Sequence, residues 1–203
     1  MVFALLFILS SGMLIRDLAR SAGEQAANEA LVQRVVSPAP GSETAETNSG
    51  HPVSPQTSAP ERNYQPLVQE NSHLAAWLTI EGTEVDYPVL YTPDDPEYYL
   101  RKAFDGSYAL SGSLFIGANC FPDGSNIIIY GHKMKDGTMF GSLDAYVDEE
   151  YAKAHSEIIY DLIQPDGSYE RLTFEVMAVF YSRVYKVKEA NVFRYYYGTD
   201  LSD

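Results

Sequence analysis

Tyr130-Gly131-His132 is where residue types and spacing in this chain point most directly to chemistry. Ile127, Ile128, Ile129 and Tyr130 form a continuous apolar run, the signature of a strand buried on both faces, and Gly131-His132 ends it abruptly. A histidine held at a rigid strand end suits proton transfer, because imidazole titrates closest to neutrality. A lone His in such a place is more often simply packed or at the surface, so the neighbouring elements have to decide. Lys135-Asp136-Gly137 reads as a turn, and Met139, Phe140, Leu143 and Tyr146 recur at the spacing of a short amphipathic helix packed back on the sheet.

The other candidates carry less. Cys120 is the single cysteine, so no intrachain disulfide can form. It precedes the strand over residues 126–130, whereas His132 follows it. Five or six extended residues span roughly 17–20 Å, while a nucleophile and its partner need about 3–4 Å, so Cys120 reads as a loop residue rather than a catalytic one. Lys133 reads as an exposed loop cation, Arg183 as a solvated strand end, and His155 as a helix cap or surface residue. Tyr195-Tyr196-Tyr197 could wall a peptide groove or serve core packing. His51, His73, His132 and His155 lack the i, i+4 pairing of a helical metal site, so neither a metal nor a cofactor is expected. A net charge of -14 and a pI near 4.6 argue against nucleic acid as a partner, since phosphate binding needs clustered Lys and Arg.

The elements that must position His132 are mostly strands. Residues 2–15 form an apolar run of about fourteen residues, shorter than the roughly 20 that cross a bilayer, with Arg16 and Arg20 after it. It reads as a clipped membrane anchor, with a short signal peptide or a buried N-terminal helix as alternatives. Residues 21–33 suit a helix, and residues 37–60, rich in Ser, Pro, Thr, Gly and Glu, a flexible tether. The expected layout is an anchor over 1–20, a helical then disordered stalk over 21–62, and a globular head over 63–203. Within the head a short helix leads into a strand ending at Ile80. A second strand follows over residues 85–90, with Pro88 placing it at an edge or a bulge. Asp95-Pro96 opens a short helix over residues 97–104, and residues 112–116 form a third strand. Asp148 caps another helical turn. Residues 158–163 and 169–181 make a hairpin whose second arm alternates Leu172, Phe174, Val176, Ala178 and Phe180 with polar residues. Short strands joined by small helices predict a mostly β fold, a closed or nearly closed barrel. Residues 189–197 suit a helix, and the barrel reads as unfinished, since no further strand follows.

Several segments together resemble the class B sortases, membrane-anchored cysteine transpeptidases of Gram-positive bacteria. They are Asn71 with Trp77-Leu78-Thr79-Ile80, Gly82-Thr83, Asp86-Tyr87-Pro88-Val89, Tyr98-Tyr99-Leu100, Gly112-Ser113-Leu114-Phe115, and Tyr130-Gly131-His132 with Met134, Asp136-Gly137, Met139-Phe140 and Leu143. The resemblance implies an eight-stranded barrel with N-terminal and connecting helices, tethered as a single-pass protein outside the cell membrane. It also implies cleavage of a C-terminal sorting signal after Thr and transfer of the surface protein, through a thioacyl-cysteine, to an amine of a cell-wall peptidoglycan precursor. His132 would be the proton donor or acceptor. The nucleophilic Cys and the oxyanion-binding Arg are expected on strands that follow the long arm at 169–181, and no match to either occurs in this chain. The alternative is a non-catalytic, sortase-like remnant or peptide-binding module.

Overall fold

The computed structural model describes residues 2–36, 61–183, 185, 186 and 189. The tether at residues 37–60 and Tyr195-Tyr196-Tyr197 lie outside the described residues.

Helix α1 (Val2–Val36) runs without a break across residue 20. Helix α2 (Gln65–Glu70), with Pro66 in its first turn, leads into β1 (Leu74–Ile80) and β2 (Asp86–Leu90). Then come β3 (Leu114–Ile116), β4 (Ile129–Tyr130), α3 (Glu149–Ala154), β5 (Glu157–Ile163) and β6 (Tyr169–Glu175). The six strands form one sheet in the order β4-β3-β2-β1-β5-β6, antiparallel throughout except for the parallel β2–β3 pair. The fold is therefore mostly β, as expected, but among the described residues the sheet is open, with β4 and β6 as its outer strands.

Alternation along β1 divides the core. Ala76, Leu78 and Ile80 face one side with Val85, Tyr87, Val89, Leu114 and Ile116. Trp77 faces the other, where Leu74 joins it through a register shift, and Leu31 and Val35 of α1 and Leu67 of α2 cover it. Both faces of β1 are thus apolar contacts, which explains its nearly continuous hydrophobic sequence. Asp86 ties the layers together. Its carboxylate accepts from both terminal nitrogens of Arg62 (2.7 and 3.1 Å), from the Trp77 indole (2.7 Å) and from the Thr79 hydroxyl (3.0 Å).

Several expectations need correction. The buried strand expected over residues 126–130 is only Ile129–Tyr130, and Tyr130 is 45% exposed, because β4 is an outer strand covered on one side. Pro88 lies in an interior strand; pairing with β3 takes in only Val89 and Leu90, so Pro88 falls just beyond its end, and the irregularity sits in β1 instead. The helices expected at residues 97–104 and 139–146 are single 3-10 segments, Tyr98–Arg101 and Gly141–Val147. Strand β6 ends at Glu175, and beyond it Met177, Phe180 and Tyr181 are exposed.

The single-pass membrane location is also overturned. Among the described residues no helix is long and apolar enough to cross a bilayer. From Arg16 onward α1 carries Arg20, Glu24, Glu29 and Arg34, and its Leu31 and Val35 are buried against the head, so this part of the helix is held by protein rather than by lipid.

Candidate functional site

His132 owes its position to close packing at Gly131. A Cβ at residue 131 would lie 2.3 Å from Leu114 Cδ2 and 2.9 Å from the Phe140 ring, so only glycine lets the chain leave β4 this close to β3 and the loop beyond. Tyr130 pairs with Phe115 across the strands, and their rings stack with centroids 5.6 Å apart. The following loop returns on itself. The Phe140 N–H donates to the His132 carbonyl (3.0 Å), and Lys133 bridges Met139. Inside the loop the Thr138 N–H and hydroxyl both donate to Asp136 (3.1 and 2.7 Å), and the Met139 N–H donates to the buried Tyr87 hydroxyl (3.1 Å). His132 is therefore anchored on both sides of its own backbone.

Its side chain opens on a groove of about 700 Å³, walled by Pro96, Leu100, Phe115 and Tyr130, with Asp95, Glu97 and Lys133 at the rim. That volume suits a short peptide or a small ligand, and a few polar groups over apolar walls are the usual composition of such a site. His132 is half-buried, and its pKa is held below the ordinary value, first by burial and then by the positive charge of Arg101; the Ser111 backbone near the ring works the other way. At neutral pH the imidazole is predominantly uncharged and able to accept a proton.

The remaining candidates are elsewhere. Cys120 is 2% exposed in the core beside Ile116. Because β3 and β4 are antiparallel, with Phe115 opposite Tyr130, Cys120 lies past one end of the pair and His132 past the other. Cys120 lines a separate cavity with Tyr91 and Pro93. Lys133 pairs with Asp144 at 2.8 Å, in solvent. His155 is the C-cap of α3 with its ring 4.3 Å from that of Tyr151, His73 contacts the Tyr99 hydroxyl at 3.0 Å, and Arg183 pairs with Glu189 over the Tyr185 ring.

Two groups of residues escaped the reading of the sequence. Leu100, Phe115 and Tyr130 were noticed as motif members but not as groove walls, because only the parallel β2–β3 pairing carries the segment after β2 across to β4. The face of α1 that meets the head was also missed, although Ser21, Glu24, Asn28, Leu31 and Val35 recur at three- and four-residue steps along one helix face.

A mostly β sheet in this order, with a half-buried histidine at a strand end above an apolar groove, is a sortase-like fold. The comparisons narrow this to one class. The chain is 43% identical over 98 residues to sortase B of Listeria monocytogenes, covering 47% of this chain and 39% of that protein. It is 27% identical over 119 residues to sortase B of Staphylococcus aureus, covering 58% and 46%. The crystal structure of sortase B from B. anthracis in complex with AAEK1 superposes with a TM-score of 0.54 and 33% identity, covering 61% of this chain and 57% of that one. No protein-family model matches. By sequence and by fold the chain is a homologue of the class B sortases, and it spans less than half the length of the curated relatives it matches.

Proposed function

We propose that this chain contributes the peptide groove and the proton-transfer histidine of a class B-type sortase reaction. A thiolate adds to the carbonyl carbon of Thr in a sorting-signal peptide, the C–N bond to the following residue breaks, and the leaving amine takes a proton. The amine of a cell-wall precursor then attacks the thioester and releases the thiolate. Such covalent catalysis divides amide exchange into two acyl transfers. His132 accepts the thiol proton and returns it to the leaving amine, a role its predominantly uncharged state at neutral pH suits.

The observation that carries this reading is the position of His132, fixed at a strand end over a mainly apolar groove of about 700 Å³. Cys120, buried beyond the far end of the β3–β4 pair, is not the nucleophile in this proposal. That burial is also what favours the second reading, a sortase-like module that binds peptide without cleaving it.

The test uses the full gene product expressed from its own locus, a labelled sorting-signal peptide and an amine acceptor. Transpeptidation should be lost by about 10²–10⁴-fold in His132→Ala with peptide binding retained, the range for removing a general acid–base. Binding without turnover in the unmodified protein would favour the second reading, and absence of peptide binding would overturn both. Cleavage abolished by Cys120→Ala would contradict the assignment of Cys120 as a core residue.

A further inference from the structure

Helix α1 touches the head at the two segments that flank His132. On one side, the Glu24 carboxylate accepts from two successive backbone N–H groups, Leu110 (2.7 Å) and Ser111 (2.9 Å). On the other, Ser21 donates to Asp136, and the Asn28 amide lies 3.9 Å from the Met139 sulfur, both within the loop that begins at His132. The three residues occupy one helix face, which Leu31 and Val35 continue into the core.

The segment gripped by Glu24 is a junction. Arg101 donates to the Leu110 carbonyl, and the Ser111 backbone is near enough to the His132 ring to favour its charged form. Ser111 is buried, and Gly112 after it has φ +62°, with its backbone pressed against the Leu100 carbonyl, so that a Cβ there would lie 2.5 Å from that oxygen. The register of β3 and β4 independently places this region beside the histidine, since Phe115 opposite Tyr130 sets Ser113 across from His132. A two-point carboxylate contact to adjacent amides is charge-assisted and directional, and it holds a loop more firmly than apolar packing of an exposed leucine could.

We propose that Glu24 is a positioning residue for His132, acting through the Leu110-Ser111 backbone, so that docking of α1 and orientation of the imidazole are coupled. The inference rests on the proposed role of His132 only for its catalytic consequence; the coupling itself is a property of the fold. Around the ring the charged groups are Arg101 from the 3-10 segment, Asp95 and Glu97 across the groove, Lys133 next in the chain, and Glu24 behind the junction.

The experiment is an NMR titration of the histidine ring protons in the unmodified chain and in Glu24→Ala, Glu24→Gln and Glu29→Ala. Glu29 lies on the same helix and, among the described residues, is bonded to Gln25 along it, so it reports the effect of one lost α1 charge. Releasing the junction changes the burial of His132, the placement of Arg101 and the Ser111 contact together. The His132 midpoint in Glu24→Ala should therefore shift, and the Leu110 and Ser111 amides should exchange about tenfold faster. Glu24→Gln, which keeps one acceptor oxygen and the fold, should move both in the same direction by less. His155, at the end of α3, should not move, nor should Glu29→Ala reproduce the effect. An unchanged His132 midpoint in Glu24→Gln and Glu24→Ala, or an equal change in Glu29→Ala, overturns the proposal. If the midpoint moves while His132→Ala retains full transpeptidation, the coupling stands and the catalytic role fails.

Discussion

Half-burial of His132 gives its protonation a direction, and the direction can be tested without any substrate. Burial and the Arg101 charge both disfavour the imidazolium in the folded chain, so the folded-state pKa lies below the unfolded one. Between the two values the unfolded state binds more protons, and stability increases with pH. This contribution is fully present above the unfolded pKa of about 6.5 and is lost as pH falls through that value toward the folded one. Replacing His132 with Gln should therefore flatten the slope of urea stability against pH on the acid side of neutrality, leaving the slope above pH 7 unchanged. The two profiles should part only below neutrality; a constant offset across the whole range would mean that the histidine acts through packing alone. The acidic residues with lowered pKa values, such as Asp136 held by Ser21 and Thr138, begin to lose their contribution only as pH falls through the ordinary carboxylate range, below the onset of the histidine limb.

At the scale of elements, local signals were most legible where a single side chain closes the structure. Asp148 caps α3 through a hydrogen bond accepted from the Tyr151 N–H (2.9 Å), and this helix buries no residue fully, only Tyr151 and Ala152 packing on the core while half-exposed. Asp148→Ala should cost about 1 kcal/mol of stability, read from the urea midpoint, and Asp148→Asn or Asp148→Ser should recover most of it. Because the helix has so little packing, loss of the cap should show first as faster exchange of its own amides; unchanged exchange there would refute the cap's role. The hairpin around residues 164–168 was equally legible, since Asp166 accepts from the Ser168 N–H and hydroxyl within the turn and the two arms pair over seven residues. Less could be read where an element depends on distant partners. The parallel pairing of Val89 and Leu90 with β3 makes the strand that carries Pro88 an interior one, which no local rule foresees. The run Ile127–Tyr130 looked like a fully buried strand, yet its burial depends on what lies beyond β4, and there it is half-exposed. Of the candidate site, the placement of His132 just past a strand end was legible, while the groove walls and the Glu24 contact to the Leu110-Ser111 backbone were not, because each depends on an element remote in sequence.

Across the whole molecule, the segment around residues 62–64 joins the two halves of the sheet through buried polar groups. Arg62 reaches Asp86 at the start of β2, while the Tyr64 hydroxyl donates to Asp161 of β5 (2.7 Å), whose carboxylate also receives two bonds from Arg171 of β6 (2.7 and 2.8 Å). Tyr64 is fully buried between Trp77 and Tyr169, with ring centroids at 5.6 and 5.2 Å. Burial, and then the neighbouring Asp161 carboxylate, push the phenol pKa far above its usual value. A group raised in this way contributes stability that is fully present below the unfolded pKa near 10 and is lost as pH rises through the folded pKa, because the unfolded chain releases a proton that the folded chain retains. Tyr64→Phe removes a hydrogen bond to a charged acceptor, costing about 2 kcal/mol at pH 8, but it also removes this alkaline loss. The gap between the two proteins should therefore narrow to less than about 1 kcal/mol by pH 11, at roughly 1 kcal/mol per pH unit above 10. Urea unfolding followed at pH 8, 9.5 and 11 decides the matter. No gap at any pH would show that Tyr64 contributes by ring packing alone and that its hydroxyl does not link the start of the head to the β5–β6 hairpin, whereas a constant gap of about 2 kcal/mol would show that the phenol titrates alike in the folded and unfolded chains.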